Sequence, residues 1–257
     1  MKLSFSTRGW QDLSWQEILD TAEEMGFQGV EFYHVSAAPE LTDRSGPFHA
    51  YSVASSYRAL REKDLSIACF DSACDISTAD EAALEALKEE MHLCRDMRAP
   101  FCAVWASGES TEKASEVLSG LIPLAEELGI TILIKTCGVF SSTERLRALL
   151  DDFACDQLAV LWDVHHPYRD CGETPAQTIT NLGAYVKHVH LRDSSDSETY
   201  ELIGEGNFPV DEVMGALESV DYSGFVSLEW KPRWLEDLTD PEVIFPHFVN
   251  YMHRFER

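Results

Sequence analysis

Residues 161–168 read LWDVHHPY, and the stretches VKHVHLRD (186–193) and VSLEW (226–230) are organised in the same way. In each, a run of branched and aromatic residues typical of a buried strand ends in a side chain that can ligate a metal or transfer a proton. These side chains are Asp163, His190 and Glu229. Burying such a group alone costs several kcal/mol, so each needs a partner or water. Three strand ends with this property predict one shared site.

The alternation of strand-like and helix-like segments continues through the whole chain. Short apolar runs lie near residues 2–7, 29–33, 66–70, 101–105, 131–135, 158–162, 186–191 and 225–230. The segments between them carry apolar residues at helical spacing, and Gly26 and Gly129 stand where helices should end. Eight such units without a linker predict an α/β fold, a closed (β/α)8 TIM barrel with a single domain over residues 1–257. A doubly wound open sheet is the alternative, although no GxGxxG motif follows a predicted strand.

The composition is that of an acidic protein with a large apolar fraction. Lys and Arg total 20 against 45 Asp and Glu, which gives a net charge of −25, and 45% of the residues are hydrophobic. Such a surface repels phosphate groups at long range, so neither nucleic acid nor an anionic membrane is expected as a partner. The N-terminus lacks the apolar core of a signal peptide, and the seven cysteines include no CxxC pair. A cytoplasmic location is therefore expected.

The chemistry of such a barrel lies at the carboxyl ends of its strands, where the βα loops meet. Because side chains alternate along a strand, Asp163, His190 and Glu229 can point into the barrel mouth together. Lys135, at the end of strand 5, can join them there. One imidazole and two carboxylates suit Mn²⁺, Mg²⁺, Co²⁺ or Zn²⁺. The sequence thus predicts a divalent metal on Asp163, His190 and Glu229, with His188 as a supporting group one step deeper on strand 7.

The motifs follow one another in a definite order: GFQGVEFY at strand 2, LWDVHHPY at strand 6, HVHLRD at strand 7, a GEG loop, and LEW at strand 8. This order resembles the xylose isomerase-like TIM barrel superfamily of sugar isomerases and epimerases over essentially the whole chain. In its ketose 3-epimerases and dehydroshikimate dehydratases, Glu, Asp, His and Glu on strands 5 to 8 hold the metal. The resemblance implies that Asp163, His190 and Glu229 are three of these ligands and that His166 contacts the substrate.

The fourth ligand position departs from the family pattern. Where relatives have Glu at the end of strand 5, this chain has Lys135, followed by Thr136 and Cys137. Three outcomes are open: a three-ligand metal site with Lys135 as a catalytic base, a metal-free site in which Lys135 pairs with Asp163 and Glu229, and a degenerate scaffold. A lysine beside a divalent cation would have a lowered pKa, which would suit it to take a proton near neutral pH.

Further residues at strand ends are candidates for substrate binding. Arg192 flanks the predicted mouth and can contact hydroxyls or a phosphate, with a surface ion pair as the alternative. Glu31 ends strand 2, where barrel enzymes place substrate contacts, although buried charge networks also occur there. Trp230, together with Trp105 and Trp234, is expected to form an apolar wall for sugar carbons.

The resemblance and the residues together predict a metal-assisted isomerase or epimerase of a small keto-sugar, polyol or sugar phosphate. Glu229 is expected to act as acid and base, with Lys135 as its catalytic partner. The alternatives are a lyase of the dehydroshikimate dehydratase type and a non-catalytic sugar-binding barrel. The DNA-repair endonucleases of the superfamily fit poorly, because this chain lacks their basic face. Since many barrels of this kind pair through helices and loops, a homodimer is a hypothesis for the assembly.

Overall fold

The chain forms a closed barrel of eight parallel strands, in the order expected when each strand is placed beside the next and strand 8 closes on strand 1. The computed structural model describes residues 1–10, 12–35, 41–196, 199–230 and 241–255. The barrel strands are β1 (Lys2–Ser6), β2 (Gly29–Phe32), β3 (Ser66–Asp75), β4 (Phe101–Trp105), β5 (Thr131–Lys135), β6 (Leu158–Asp163), β7 (Val186–Leu191) and β8 (Phe225–Leu228). The predicted (β/α)8 architecture is therefore confirmed.

Helices connect the strands on the outside of the barrel. They are α1 (Trp15–Met25), α2 (Val53–Glu62), α3 (Glu81–Met97), α4 (Glu112–Leu128), α5 (Thr143–Phe153), α6 (His165–Cys171), α7 (Pro175–Leu182), α8 (Val210–Glu218) and α9 (Pro241–Met252). Two of them begin with a capping box, in which Ser14 and Thr174 exchange hydrogen bonds with the residue three positions later. Gly26 and Gly129 end α1 and α4 in the left-handed region, as their positions in the sequence predict.

The apolar core lies mainly between the strands and the surrounding helices. Large buried side chains such as Phe5, Trp10 and Phe245 pack there against one another. Inside the barrel, a smaller apolar cluster fills the side formed by β3 to β6; it consists of Cys69, Ala103, Leu133, Ala159 and Leu161. On the opposite side of the interior, the Ser4 hydroxyl donates a hydrogen bond of 3.0 Å to the Ser227 hydroxyl. The interior is thus apolar on one side and polar on the other.

The strand register brings the polar strand ends to one rim. Asp163 on β6 lies directly opposite His190 on β7, and His190 lies opposite Ser227 on β8. Since Glu229 follows the last residue of β8, its side chain lies near the same level. A short two-stranded hairpin, Asp193–Ser194 with Tyr200–Glu201, extends beyond β7 and covers part of this rim. No helix in the described part of the chain has the length and apolar character needed to cross a bilayer.

Candidate active site at the barrel mouth

A cavity of about 310 Å³ opens at the carboxyl ends of the strands. It is lined by Arg8, Trp105, Lys135, Cys137, Gly138, Asp163, His166, Arg192, Tyr200, Glu229 and Trp230. Most of these residues stand at or just after the last residue of a strand, which is why they meet at one end of the barrel. We refer to this space as the mouth cavity.

Asp163, His190 and Glu229 meet at the bottom of the mouth cavity. One ligand atom from each lies within 4.8 Å of the others, and all three residues are buried. The His190 Nδ1 atom is 3.7 Å from Glu229 Oε1 and has no hydrogen-bond partner in the described part of the chain. A buried imidazole nitrogen without a partner, between two carboxylates, is the arrangement that a divalent cation requires. These three residues therefore fit a metal.

Glu31 lies beneath this cluster and does not line the mouth cavity. Its Oε2 atom accepts hydrogen bonds from His188 Nε2 at 2.6 Å and from His190 Nε2 at 2.7 Å. Burial raises the pKa of Glu31, but the two imidazoles outweigh burial and hold that pKa well below its ordinary value. With Nε2 of His190 donating to Glu31, Nδ1 carries the lone pair. In this structure Glu31 orients His190 within the buried charge network given above as the alternative, and the substrate contact expected of Glu31 stays a prediction.

Arg192 neutralises the two acidic residues of the cluster. Its Nη1 atom donates to Glu229 Oε2 and lies 3.5 Å from Asp163 Oδ2. Burial raises the pKa of Asp163, but the positive charge of Arg192 and the nearby histidines outweigh burial. The pKa is therefore held below its ordinary value, and the carboxyl is ionised. The guanidinium also packs over the Tyr200 ring, with 5.1 Å to the ring centroid. This ion pair is buried at the cavity floor and does not lie at the surface, and Arg192 also lines the cavity, so its contact with substrate oxygens stays a prediction.

Lys135 pairs with Asp71 on β3, rather than with the two acidic residues considered from the sequence. The Nζ atom lies 2.5 Å from Asp71 Oδ1, and both side chains are buried. Burial lowers the pKa of Lys135, but the negative charge of Asp71 outweighs burial and raises it above its ordinary value. In this structure the side chain is therefore a charged ammonium that can donate a proton, and the lowered pKa expected beside a bound metal stays a prediction.

His166 and Trp230 are both brought to the mouth cavity. His166 Nε2 is 3.5 Å from Asp163 Oδ2, and its Nδ1 bonds Asp170 at 2.8 Å. Trp230 packs edge-on against Tyr200, with 5.7 Å between ring centroids, and Trp105 also lines the cavity. Trp234 lies outside the described residues.

Arg8 and Tyr200 are side chains of the cavity that had no role in the sequence interpretation. Arg8 is the second residue after β1, and a cation so close to the end of the first strand is a signal that could have identified it. Tyr200 is carried into the site by the hairpin after β7, and no local pattern marks it. Both were missed because their positions depend on how the loops fold back over the rim.

The chain belongs to the xylose isomerase-like TIM barrel family, whose model matches residues 19–246. It is similar to hydroxypyruvate isomerase of Escherichia coli K12, with 28% identity over 93 residues, covering 36% of this chain and 34% of the relative. It is also similar to fructoselysine 3-epimerase of Escherichia coli O157:H7, with 24% identity over 169 residues, covering 60% of this chain and 61% of the relative. The matches span less than two thirds of these curated relatives.

Solved structures share the fold over nearly the whole chain. An L-ribulose 3-epimerase superposes with a TM-score of 0.81 at 17% identity, covering 99% of this chain and 94% of the other. A probable 3-DHS dehydratase, AsbF of Bacillus anthracis, superposes with a TM-score of 0.80 at 18% identity, covering 98% and 99%. An IolI protein with a bound zinc atom superposes with a TM-score of 0.79 at 16% identity, covering 99% and 96%. At these identities the likeness establishes the fold.

Proposed function

We propose that this chain is an isomerase or epimerase of a small keto-sugar, polyol or sugar phosphate, with a divalent metal held by Asp163, His190 and Glu229. The observation that carries the proposal is the buried, unpartnered Nδ1 atom of His190 beside two carboxylates in an open cavity. Isomerase and epimerase relatives, and a neighbour with bound zinc, support it. The metal is Mn²⁺, Mg²⁺, Co²⁺ or Zn²⁺, all of which accept one imidazole and two carboxylates.

A divalent cation bound there would polarise the substrate carbonyl and so acidify the neighbouring C–H group. Glu229 takes that proton on its carboxylate. Lys135 donates a proton from Nζ to a substrate oxygen, because Asp71 keeps the lysine charged. Glu229 then returns its proton to the former carbonyl carbon, while Lys135 takes a proton back from the neighbouring hydroxyl oxygen, which becomes the new carbonyl, so that both residues regain their starting protonation. His166 and Arg192 bind substrate oxygens, and Trp230 excludes water from one side.

Replacement of the ligands tests the metal. Asp163→Asn keeps the size of the side chain and should lower bound Mn²⁺ at least tenfold, measured by elemental analysis after dialysis, because an anionic ligand is lost. Asp152→Asn, an exposed carboxylate on α5, is the matched control and should keep the parent's metal content. Equal metal in Asp163→Asn and in the parent would exclude this site.

Loss of the base tests the chemistry. Glu229→Gln should reduce deuterium uptake from solvent into the reactive pentulose or hexulose by at least 100-fold, because an amide cannot accept the proton. NMR of the recovered sugar measures the uptake. Uptake at the parent's rate in this variant would remove Glu229 from the role of base, and the absence of uptake in the parent with any sugar would favour a binding function.

A dehydratase is a second candidate, favoured by the charged Lys135. Elimination of a hydroxyl needs a base for the carbon and an acid for the leaving oxygen, and Glu229 and Lys135 line the same cavity. The dehydratase neighbour is consistent with this chemistry. The two reactions separate by their products, because only elimination creates a conjugated enone with a new ultraviolet absorbance.

A further inference from the structure

Cations are concentrated at the mouth cavity of a strongly acidic protein. The whole chain has 20 Lys and Arg against 45 Asp and Glu. Arg8, Lys135 and Arg192 nevertheless line this one cavity, whereas two acidic residues, Asp163 and Glu229, line it. If the residues of the cavity had the charge composition of the whole chain, acidic residues would outnumber cations there. The local excess of cations therefore indicates a function for this positive charge.

The charges of the site come close to balance without a ligand. Among the described residues, three cations line the cavity, and they face four carboxylates when the two buried acids that pair with lining or ligand groups, Asp71 and Glu31, are counted. Counted without the histidines, these seven side chains carry one net negative charge. A dication held at the proposed site would change this to one net positive charge. A net charge that is removed from water is costly in free energy. A substrate with a single negative charge would bring the net charge of the site to zero.

Among the three cations that line the cavity, Arg8 has the weakest interaction with an acidic residue. Its guanidinium packs over the Tyr33 ring at 4.9 Å, and its nearest acidic atom is Glu229 Oε1 at 3.8 Å. Its side chain is 35% exposed, in contrast to the buried Lys135 and Arg192. It therefore stands at the entrance of the cavity. Stacking on Tyr33 orients its guanidinium, and its hydrogen-bond donors form no hydrogen bond with an acidic residue among the described residues.

Buried donors in the cavity wall also lack acceptors. The Arg192 Nε and Trp230 Nε1 atoms are buried and have no hydrogen-bond partner in the described part of the chain, although both residues line the cavity. Both groups can only donate. Leaving such donors unsatisfied costs about 1–3 kcal/mol each. Because both atoms are fully buried, a ligand in the cavity does not reach them as the side chains stand, and the accessible donors of this wall are those of Arg8.

From these observations we infer that the substrate carries a carboxylate, received by Arg8 beside Trp230. The inference rests on the proposed function, because the positive balance arises with the metal in place. It narrows that function to hydroxy or keto acids derived from small sugars. A carboxylate supplies one negative charge and two acceptor oxygens, which match the guanidinium fork. A phosphate dianion would overshoot the balance by one charge.

The test is a binding comparison with the Mn²⁺-loaded full chain. Matched pairs that differ in one terminal group are titrated calorimetrically at fixed ionic strength: glycerate with glycerol, erythronate with erythritol, and D-gluconate with sorbitol. Sorbitol 6-phosphate is included as the phosphate arm. At least one acid should bind tenfold or more tightly than its polyol, and tighter than the phosphate.

Two variants of Arg8 test whether this residue causes the preference for acids over polyols. Arg8→Gln should reduce the ratio between acid and polyol to about twofold or less while the Mn²⁺ content stays unchanged, and Arg8→Lys should restore part of it. Arg58→Gln, an exposed arginine on α2, is the matched control and should keep the full ratio.

The outcomes separate the two proposals. If Mn²⁺ binds but no pair shows a preference, or if the phosphate binds most tightly, the carboxylate inference is overturned and the metal site stands. If Arg8→Gln keeps the full preference, its assignment to Arg8 is overturned. If no Mn²⁺ binds to the parent, the metal-dependent function and the inference fail together.

Discussion

Each buried charge at the barrel mouth has a specific partner. Lys135 pairs with Asp71, Arg192 pairs with Glu229, and the Glu31 carboxylate joins His188 to His190. The interior of this barrel is therefore held by pairs of charges that cannot be changed singly without leaving an unpaired ion. Breaking a buried pair from one side is much more costly than removing both members.

The pair of Lys135 and Asp71 gives a stability prediction. Lys135→Gln should lower the free energy of unfolding by about 3 kcal/mol, because it leaves the Asp71 carboxylate buried without a counter-charge. The double variant Lys135→Gln with Asp71→Asn should recover at least half of this loss. Urea denaturation of the metal-free protein measures both. If the losses of unfolding free energy caused by Lys135→Gln alone and by Asp71→Asn alone add up in the double variant, the two residues do not interact.

The same ion pair also opposes replacement of Lys135 by the glutamate that the family resemblance implies at this position. Lys135→Glu would replace the ammonium that lies 2.5 Å from Asp71 Oδ1 by a carboxylate near Asp71, and the two anions would repel. We therefore expect Lys135→Glu alone to unfold at lower urea, and Lys135→Glu with Asp71→Asn to fold and to bind Mn²⁺ at least tenfold more tightly than the parent. Calorimetric metal titration tests this, and an unchanged affinity would mean that residue 135 does not reach the metal.

His165 gives the pH dependence of the metal-free protein. Burial, followed by the charge of Arg192, lowers the pKa of His165 to about 4. The unfolded chain binds a proton near pH 6.5 and the folded chain does not, so stability decreases as the pH falls from about 6.5 towards 4. His165→Gln should flatten this part of the profile, measured as the urea midpoint against pH. Parallel profiles for the two proteins would contradict the assignment.

At the scale of elements, the connection from β7 to α8 is held by a single buried carboxylate. Asp193 accepts backbone N–H groups from Ser194 at 2.7 Å, Gly204 at 2.8 Å, Gly206 at 3.1 Å and Phe208 at 3.2 Å. This loop carries the hairpin that brings Tyr200 over Arg192. The wall of the mouth cavity thus depends on how the GEG loop closes around Asp193.

Gly206 is the position where this closure is most sensitive. A Cβ atom there would lie 2.2 Å from Asp193 Oδ1, so Gly206→Ala should displace the loop and destabilise the protein by about 1–3 kcal/mol. Gly215→Ala on α8 is the matched control: its Cβ meets no atom within 4 Å, and it should stabilise the helix by about 0.5–1 kcal/mol. Thermal unfolding measures both changes. Equal melting temperatures for the two variants would contradict this role of the loop.

At the scale of the whole molecule, the barrel was predictable and the pairing inside it was not. Repeated alternation of apolar runs with helical spacing is a local property, and it identified the eight strands. The convergence of Asp163, His190 and Glu229 followed from strand polarity alone. The partnership of Glu31 with two histidines on β7 depends on which side chains share a level inside the closed barrel, and residue spacing along one strand does not specify it.

The net charge of −25 also affects how a metal site must be tested. Such a surface attracts divalent cations non-specifically, and these contacts weaken as the Debye length falls from about 30 Å at 0.01 M salt to about 8 Å at 0.15 M. The cluster at the barrel mouth is buried, so salt screens it much less.

These two kinds of cation binding differ in their response to salt and to one substitution. At 0.15 M KCl, Mn²⁺ at 100 times its dissociation constant should stabilise the parent by about 2.7 kcal/mol. Asp163→Asn should lose this stabilisation, because the ligand anion is gone while the surface charge changes little. At 0.01 M KCl, the variant should still gain some stability from Mn²⁺, since surface binding persists. Melting curves over a Mn²⁺ series measure all four conditions. Equal stabilisation of parent and variant at 0.15 M would place the bound metal on the acidic surface and remove it from the barrel mouth.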